Sequence, residues 1–169
     1  MIRLGRTEDI THIIALTKSC GRFLRENGID QWDENYPSIE IIEQDILKQQ
    51  LFCYIEKDEL KGIVVLNENQ DPEYEQINWL TDSNSKNLIV HRLAVDPKNQ
   101  GRGIARKLMD YAEDYGKKNQ YNSIRLDTFS RNLRNQRFYS NRNYHKIGEV
   151  YLSYRCDYPY YCYELPLDK

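Results

Sequence analysis

The chain predicts a mixed α/β (α+β) domain, with a central sheet of about six to seven strands flanked by about four helices. Ile10, Ile13, Ile14, Thr17 and Leu24 trace the apolar stripe of one helix. Leu51 to Glu56 and Leu60 to Leu66 are apolar, partly β-branched runs joined by the polar turn Lys57-Asp58-Glu59, the pattern of a hairpin. Between Leu88 and Asn119 an apolar strand passes through a glycine-bearing turn into a helix. With 169 residues, 40% hydrophobic and 30% charged, the chain suits one domain, residues 1–169, with a substantial core.

Ile2 to Arg6 forms the first expected strand, and Thr7 is the expected N-cap of the first helix. Gly28 to Pro37 reads as a loop. Ser38 then caps a second helix through about Gln49, with Ile42, Ile46 and Leu47 on its buried side. After the hairpin, Asn67 to Asn87 shows no clear period; it holds Glu73-Tyr74-Glu75 and Trp79, and its polar end from Thr81 reads as a mobile loop. A strand Leu88 to Val95 follows, then a helix from Gly101 to about Asn119 whose apolar face is Ile104, Ala105, Leu108, Met109, Ala112 and Tyr115. The remaining elements are a strand Ser123 to Thr128, a helix Asn132 to Asn141, and strands Lys146 to Tyr154 and Tyr158 to Leu165. Tyr151, Tyr154, Tyr158, Tyr160, Tyr161 and Tyr163 crowd the last two, where alternation suits either a packed sheet or a homodimer interface.

A net charge of −2 gives no general affinity for nucleic acid or membranes. The first residues lack a signal-peptide pattern and no apolar run approaches the ~20 residues of a membrane span, so a cytoplasmic location is expected. Cys20, Cys53, Cys156 and Cys162 form no Cys-x-x-Cys pair and are expected to be small side chains in a reducing compartment. His12, His91 and His145 lie far apart, and no metal site is expected.

The turn from Asp96 to Arg106 has the physics of a phosphate cradle. Arg102, Arg106 and Lys107 place cations at the positive end of a helix dipole, where each is disfavoured by roughly 0.3–1 kcal/mol. A bound anion removes that conflict, and glycines at 101 and 103 let the backbone approach it. A Walker loop needs Gly-Lys-Ser/Thr, whereas this chain has Gly103-Ile104-Ala105. A dinucleotide fingerprint needs a third small residue where Arg106 stands, and glycines hard against the strand, whereas Asp96 to Gln100 intervene.

The run Gln100-x-x-Gly103-x-Ala105, preceded by Leu93-Ala94-Val95-x-Pro97, resembles the coenzyme A loop of the GCN5-related N-acetyltransferase (GNAT) superfamily. A second block, Asn132 to Tyr139 followed by Asn143-Tyr144, resembles that family's Asn-x-x-Ala-x-x-Leu/Phe-Tyr segment. Asn135 stands where the family usually has alanine and Asn143 where it usually has glycine, departures that touch helix packing and the helix stop. The resemblance implies the GNAT fold, whose sheet is mixed and largely antiparallel. It also implies transfer of an acetyl group from acetyl-CoA directly to a primary amine, on a small molecule or a peptide, through a ternary complex.

By that resemblance, the backbone N–H groups of Gly101, Arg102, Gly103, Ile104, Ala105 and Arg106, with Gln100, hold the pyrophosphate. The main chain of Leu93, Ala94 and Val95 runs beside the pantetheine arm, Leu93 N–H faces the acetyl carbonyl, and Asn132 contacts the cofactor arm. Tyr139 is the candidate general acid for the leaving thiolate. His91 is the candidate base: histidine is the side chain whose ordinary titration lies near pH 7, and strand alternation puts residue 91 on one side with Leu93 and Val95. The run His91 to Val95 also resembles the strand of the serotonin N-acetyltransferase branch, where a histidine works through ordered water. Glu73, Glu75, Asp127 or water alone are the substitutes. Trp32, Tyr36, Tyr74 and Trp79, with Asp33, Glu34 and the two loop glutamates, are candidates to bind a cationic amine, or else core anchors and surface charge. Two other readings stay open: a non-catalytic acyl-CoA-binding regulatory module of the same fold, and a nucleotide-dependent enzyme using the same turn.

Overall fold

The computed structural model describes residues 1–152 and 157–167. Among them the strands are β1 (Ile2–Leu4), β2 (Leu51–Glu56), β3 (Glu59–Asn67), β4 (Asn87–Val95), β5 (Ser123–Phe129), β6 (His145–Val150) and β7 (Tyr160–Pro166). The helices are α1 (Ile10–Glu26), α2 (Ile39–Leu47), α3 (Ile104–Lys118) and α4 (Leu133–Ser140). The sheet order is β1-β2-β3-β4-β5-β7-β6. β4 and β5 run parallel, whereas β1–β2, β2–β3, β5–β7 and β6–β7 are antiparallel. The chain divides into two compact units, Met1–Asn67 with Val90–Ala112, and Glu68–Ile89 with Glu113–Lys169.

In the first unit β1, β2 and β3 form a meander in which Arg3 faces Cys53 and Phe52 faces Val64. Its tight turn sets Lys57 and Asp58 at φ 52° and 60°, the left-handed pair that matches a two-residue hairpin to strand twist. Ile13 of α1, Ile42 of α2, and Leu51, Cys53 and Ile63 of the sheet close the core with no exposure. Gly62 is required there, since an added Cβ would lie 3.0 Å from the Ala94 carbonyl oxygen and from Leu108.

Two expectations change in this unit. Thr7 does not cap α1: Thr7–Asp9 is a 3-10 turn, and the buried Asp9 carboxylate accepts the Arg6 N–H at 2.8 Å and the Arg3 guanidinium at 2.7 and 2.9 Å. Thr7 thus lies inside the turn, and Arg6 stands at the position before it. Ser38 caps α2 as expected, accepting from Ile41 N–H. Leu47, however, is 75% exposed, because α2 ends there and turns Asp45 inward instead.

In the second unit the first residues of β4 lie beside β5, Asn87 opposite Ser123, while β7 runs between β5 and β6. Arg125 and Glu164 are both fully buried and pair at 3.0 Å. Arg125 also donates to Gln70 Oε1 and to the Thr81 carbonyl, each at 2.9 Å, and its guanidinium lies 4.4 Å from the centre of the Trp79 ring. Glu164 accepts from the Leu80 N–H and the Thr81 hydroxyl. The polar tract expected to be mobile is therefore tied at its start to a buried ion pair. Its end is tied as well: the Asn87 amide donates to the Asp82 and Ser85 carbonyls at 3.0 Å.

The last two strands are shorter than expected. Tyr154 and Cys156 lie outside the described residues. Tyr160 and Tyr163 are buried, whereas Tyr151 and Tyr158 are exposed. Cys20, Cys53 and Cys162 are free and buried, and burial pushes the Cys20 and Cys53 thiols up to about 12, which makes them poor nucleophiles. No helix among the described residues is long and apolar enough to cross a membrane, and no three metal-ligating side chains come together there.

The Arg3 hydrogen bond holds the Asp9 carboxyl below its ordinary value. Its stabilisation is therefore present above the usual carboxylate range (about 3.9) and is lost as pH falls through the lowered value. Asp9→Asn should cost about 1–3 kcal/mol at pH 7. Thermal unfolding against pH should show the gap to the wild type closing in acid; a gap independent of pH would contradict the assignment.

Candidate active site

The connection from β4 to α3 is built by local chemistry. Pro97 opens a short 3-10 turn, Pro97–Asn99, and the Asp96 carboxylate closes it by accepting from Lys98 N–H at 3.1 Å and from the Asn99 amide at 2.9 Å. Gly101 and Gly103 follow at φ 78° and 76°, conformations that glycine alone adopts cheaply. An added Cβ at either position would meet nothing within 4 Å. Their need for glycine is thus conformational, and the space beside the turn is open. The α3 ladder begins with Lys107 N–H to the Gly103 carbonyl at 3.1 Å. Helix geometry therefore leaves the N–H groups of Gly103, Ile104, Ala105 and Arg106 without an intrahelical acceptor.

Arg102, Arg106 and Lys107 are exposed around this end. Lys107 donates to the Tyr54 hydroxyl at 2.9 Å, whereas Arg102 and Arg106 make no ion pair among the described residues. Unsatisfied N–H groups, a helix dipole and two unpaired guanidinium groups converge on an open, glycine-lined turn. This donor set fits a pyrophosphate.

β4 itself carries a feature that sequence reasoning missed. Arg92 has φ 49°, left-handed for a non-glycine residue in the middle of a strand. Its guanidinium meets the Asp45 carboxylate at 2.7 and 2.8 Å and donates to the Tyr36 hydroxyl at 3.1 Å. Burial pushes the Asp45 carboxyl above its ordinary value despite the opposing charge of Arg92. A signal existed, since Asp45 stands three residues after Ile42 and so shares the buried face of α2. The reversal at Arg92 also interrupts the alternation from which His91 and Leu93 were assigned to one side. His91, Leu93 and Val95 are half-buried and Ala94 is buried. The Val95 carbonyl accepts a hydrogen bond from the Cys20 thiol at 3.2 Å.

Tyr139 lies on α4 at 4% exposure, with its ring 5.9 Å from those of Tyr144 and Tyr163. Burial foremost, then the charge of Asp127, raises its phenol well above the ordinary value of 10.0. Asn132 caps α4, its side-chain Oδ1 accepting from Asn135 N–H at 3.1 Å. Asn135 reaches Thr128 on β5 at 3.2 Å. Asn143 takes φ 65° just past the helix, a left-handed position that asparagine tolerates better than most residues.

The acceptor candidates are largely engaged within the protein. Trp32 is a core residue at 6% exposure, packed edge-on against half-buried Tyr36 at 6.1 Å. Tyr74 is 2% exposed and donates to Asp127 at 2.7 Å, so the aromatic and the substitute base occupy one another. Trp79 gives its indole N–H to the Tyr74 carbonyl at 3.0 Å and one ring face to Arg125. Asp33 and Glu34 line a surface cleft of ≈ 270 Å³ with Lys18, Arg22 and Arg25, so their charge faces cations of α1. Glu73 is half-buried and Glu75 exposed.

Comparison with known proteins gives the family and the fold. The profile of the Acetyltransferase (GNAT) family matches residues 17–144. An uncharacterized N-acetyltransferase of Bacillus subtilis (strain 168), YesJ, is 27% identical over 83% of this chain and 79% of its own. A GNAT-family acetyltransferase from Streptococcus agalactiae superposes with a TM-score of 0.86 at 25% identity, covering 100% of this chain and 96% of that one. A protein from Salmonella typhimurium solved with its cofactor acetyl-CoA shares the fold at 14% identity, TM-score 0.74, over 100% of this chain and 94% of that one.

Gly103→Ala meets no clash but must hold an L-residue left-handed, at about 1–2 kcal/mol. The expected fall in Tm is roughly 2–8 °C, at about 2–4 °C per kcal/mol for a domain of this size. An unchanged Tm would mean that the turn is not held in this conformation.

Proposed function

The chain belongs to the Acetyltransferase (GNAT) family and is an acyl-CoA-dependent N-acetyltransferase; from this premise we propose that it transfers acetyl directly to a primary amine within a ternary complex. The left-handed glycine turn leading into the bare N-terminus of α3 carries the reading. The N–H groups of Gly101 to Arg106, with Gln100 and the guanidinium groups of Arg102 and Arg106, hold the pyrophosphate. The main chain from Leu93 to Val95 runs beside the pantetheine arm, and Asn132 lies at the cofactor arm while capping α4. When bound, acetyl-CoA supplies an activated thioester, so no nucleophile of the enzyme is needed.

The protein's own tasks are three. Leu93 N–H stabilises the oxyanion that develops at the acyl carbonyl, a contribution that a single preorganised donor can bring to ~10²–10³ in rate. His91 takes a proton from the attacking amine, directly or through water, as nitrogen bonds to the carbonyl carbon. Tyr139 gives a proton to the sulfur as the carbon–sulfur bond breaks. Burial keeps this phenol protonated at neutral pH but also weakens it as an acid, so its proton moves together with the departing thiolate rather than ahead of it. A reducing cytoplasmic compartment suits the three buried thiols.

An amine panel with thiol detection tests the reaction. Tyr139→Phe should lower kcat by ~10²–10⁴ with acetyl-CoA affinity retained. Because the phenol is raised above 10.0, the wild type should show no falling alkaline limb from Tyr139 below that pH. Acetyl-CoA binding without transfer to any amine would reduce the chain to a regulatory binding module, and unchanged turnover in Tyr139→Phe would place the acid elsewhere. His91→Ala should lose the low-pH limb of kcat/KM; an unaltered profile would move the base to another group.

A further inference from the structure

Arg92 is the one non-glycine residue that β4 holds left-handed, and its backbone and side chain cannot be considered apart. An isolated reversal of this kind in a strand is strained and persists only where its surroundings over-determine it. Here the surroundings are specific. Both Asp45 oxygens take up the guanidinium, at 2.7 and 2.8 Å, and the Tyr36 hydroxyl accepts a third hydrogen bond at 3.1 Å. The Arg92 and Asp45 side chains are 12% and 9% exposed, so little water competes for them. Asp45 is itself fixed, since α2 is capped by Ser38 and seated by Ile42 at no exposure.

A buried ion pair is seldom a net gain in stability over apolar residues of the same size, and its better attested use is to specify geometry. The residue immediately after this reversal is Leu93. We propose that Asp45, Arg92 and Tyr36 form a clamp that holds β4 in its left-handed kink and so sets the direction of the Leu93 N–H, with Asp45 and Arg92 as positioning residues for the transfer. The proposal rests on the reading that Leu93 N–H faces the acyl carbonyl. Neither side chain touches the reacting atoms; each acts through the backbone of β4.

The test separates the clamp from the kink. Arg92→Ala removes the clamp and leaves an L-residue free to relax to extended backbone. Arg92→Gly removes the same clamp but tolerates φ 49°. Asp45→Asn keeps the shape and removes the charge. Arg92→Ala should lower kcat by ~10–10² with acetyl-CoA affinity within about threefold, on the scale of one misdirected oxyanion donor. Arg92→Gly should recover about tenfold of that loss although its Tm is no higher than that of Arg92→Ala. Asp45→Asn should resemble Arg92→Ala. A residue that only stabilised the fold would make kcat follow Tm across the three variants, and that outcome would overturn the proposal.

A second readout needs no turnover: the backbone amide of Leu93, followed by its nitrogen–proton resonance and hydrogen exchange in the free protein. It should move in Arg92→Ala and Asp45→Asn and return toward the wild type in Arg92→Gly. An unmoved amide in Arg92→Ala sinks the clamp whatever the activity. An amide that moves as expected in a protein that acetylates no amine supports the clamp and removes the catalytic reading on which its purpose rests.

Discussion

The geometry of β4 depends on a reversal that sequence alone does not favour. Arg92 at φ 49° is stable only because a carboxylate from α2 and a hydroxyl from the preceding loop receive its guanidinium. From that point the strand runs through Leu93 to Val95 and Asp96 into the two left-handed glycines that start α3. Three backbone reversals thus fall within twelve residues, at 92, 101 and 103. The glycines reverse at little cost. The arginine needs partners, and the protein supplies them from an element far away in sequence.

That contrast explains what the sequence revealed. The turn from Asp96 to Gly103 was legible because its requirements are local: proline at the first turn position, an aspartate that caps it, and glycine wherever φ must be positive. The hairpin turn at Lys57-Asp58 and the cap at Ser38 were legible for the same reason. Even the departure at Asn143 is local chemistry, since asparagine replaces glycine at a left-handed position. Partnerships at long range left no such mark. Thr81 to Asn87 resembles a loop by composition, yet Thr81 is fixed by Arg125 and Glu164, 44 and 83 residues away. Thr7 falls inside a turn whose Asp9 is held by Arg3 of β1.

The aromatic residues show the same limit in the candidate site. Trp32, Tyr36, Tyr74 and Trp79 were candidates either to bind a cationic amine or to anchor the core. The structure gives Trp32 to the core, Tyr36 to Arg92, Tyr74 to Asp127 and one face of Trp79 to Arg125. Two of the four aromatic candidates, Tyr36 and Trp79, thus already serve cations of the protein itself. The proposed cofactor contacts lie in the backbone of one continuous segment, whereas acceptor recognition has no comparable local signature.

Thermal unfolding of the purified protein with acetyl-CoA, free CoA, NAD and ATP in parallel tests the account at its base. A ligand at 100 times its Kd adds ~2.7 kcal/mol to the folded state, or roughly 5–11 °C at about 2–4 °C per kcal/mol for a domain of this size. The account predicts that shift with acetyl-CoA and CoA, and none with NAD or ATP. A shift confined to NAD or ATP, or no shift at all, would contradict the assignment of the glycine turn to coenzyme A and with it the acetyl transfer built on that turn.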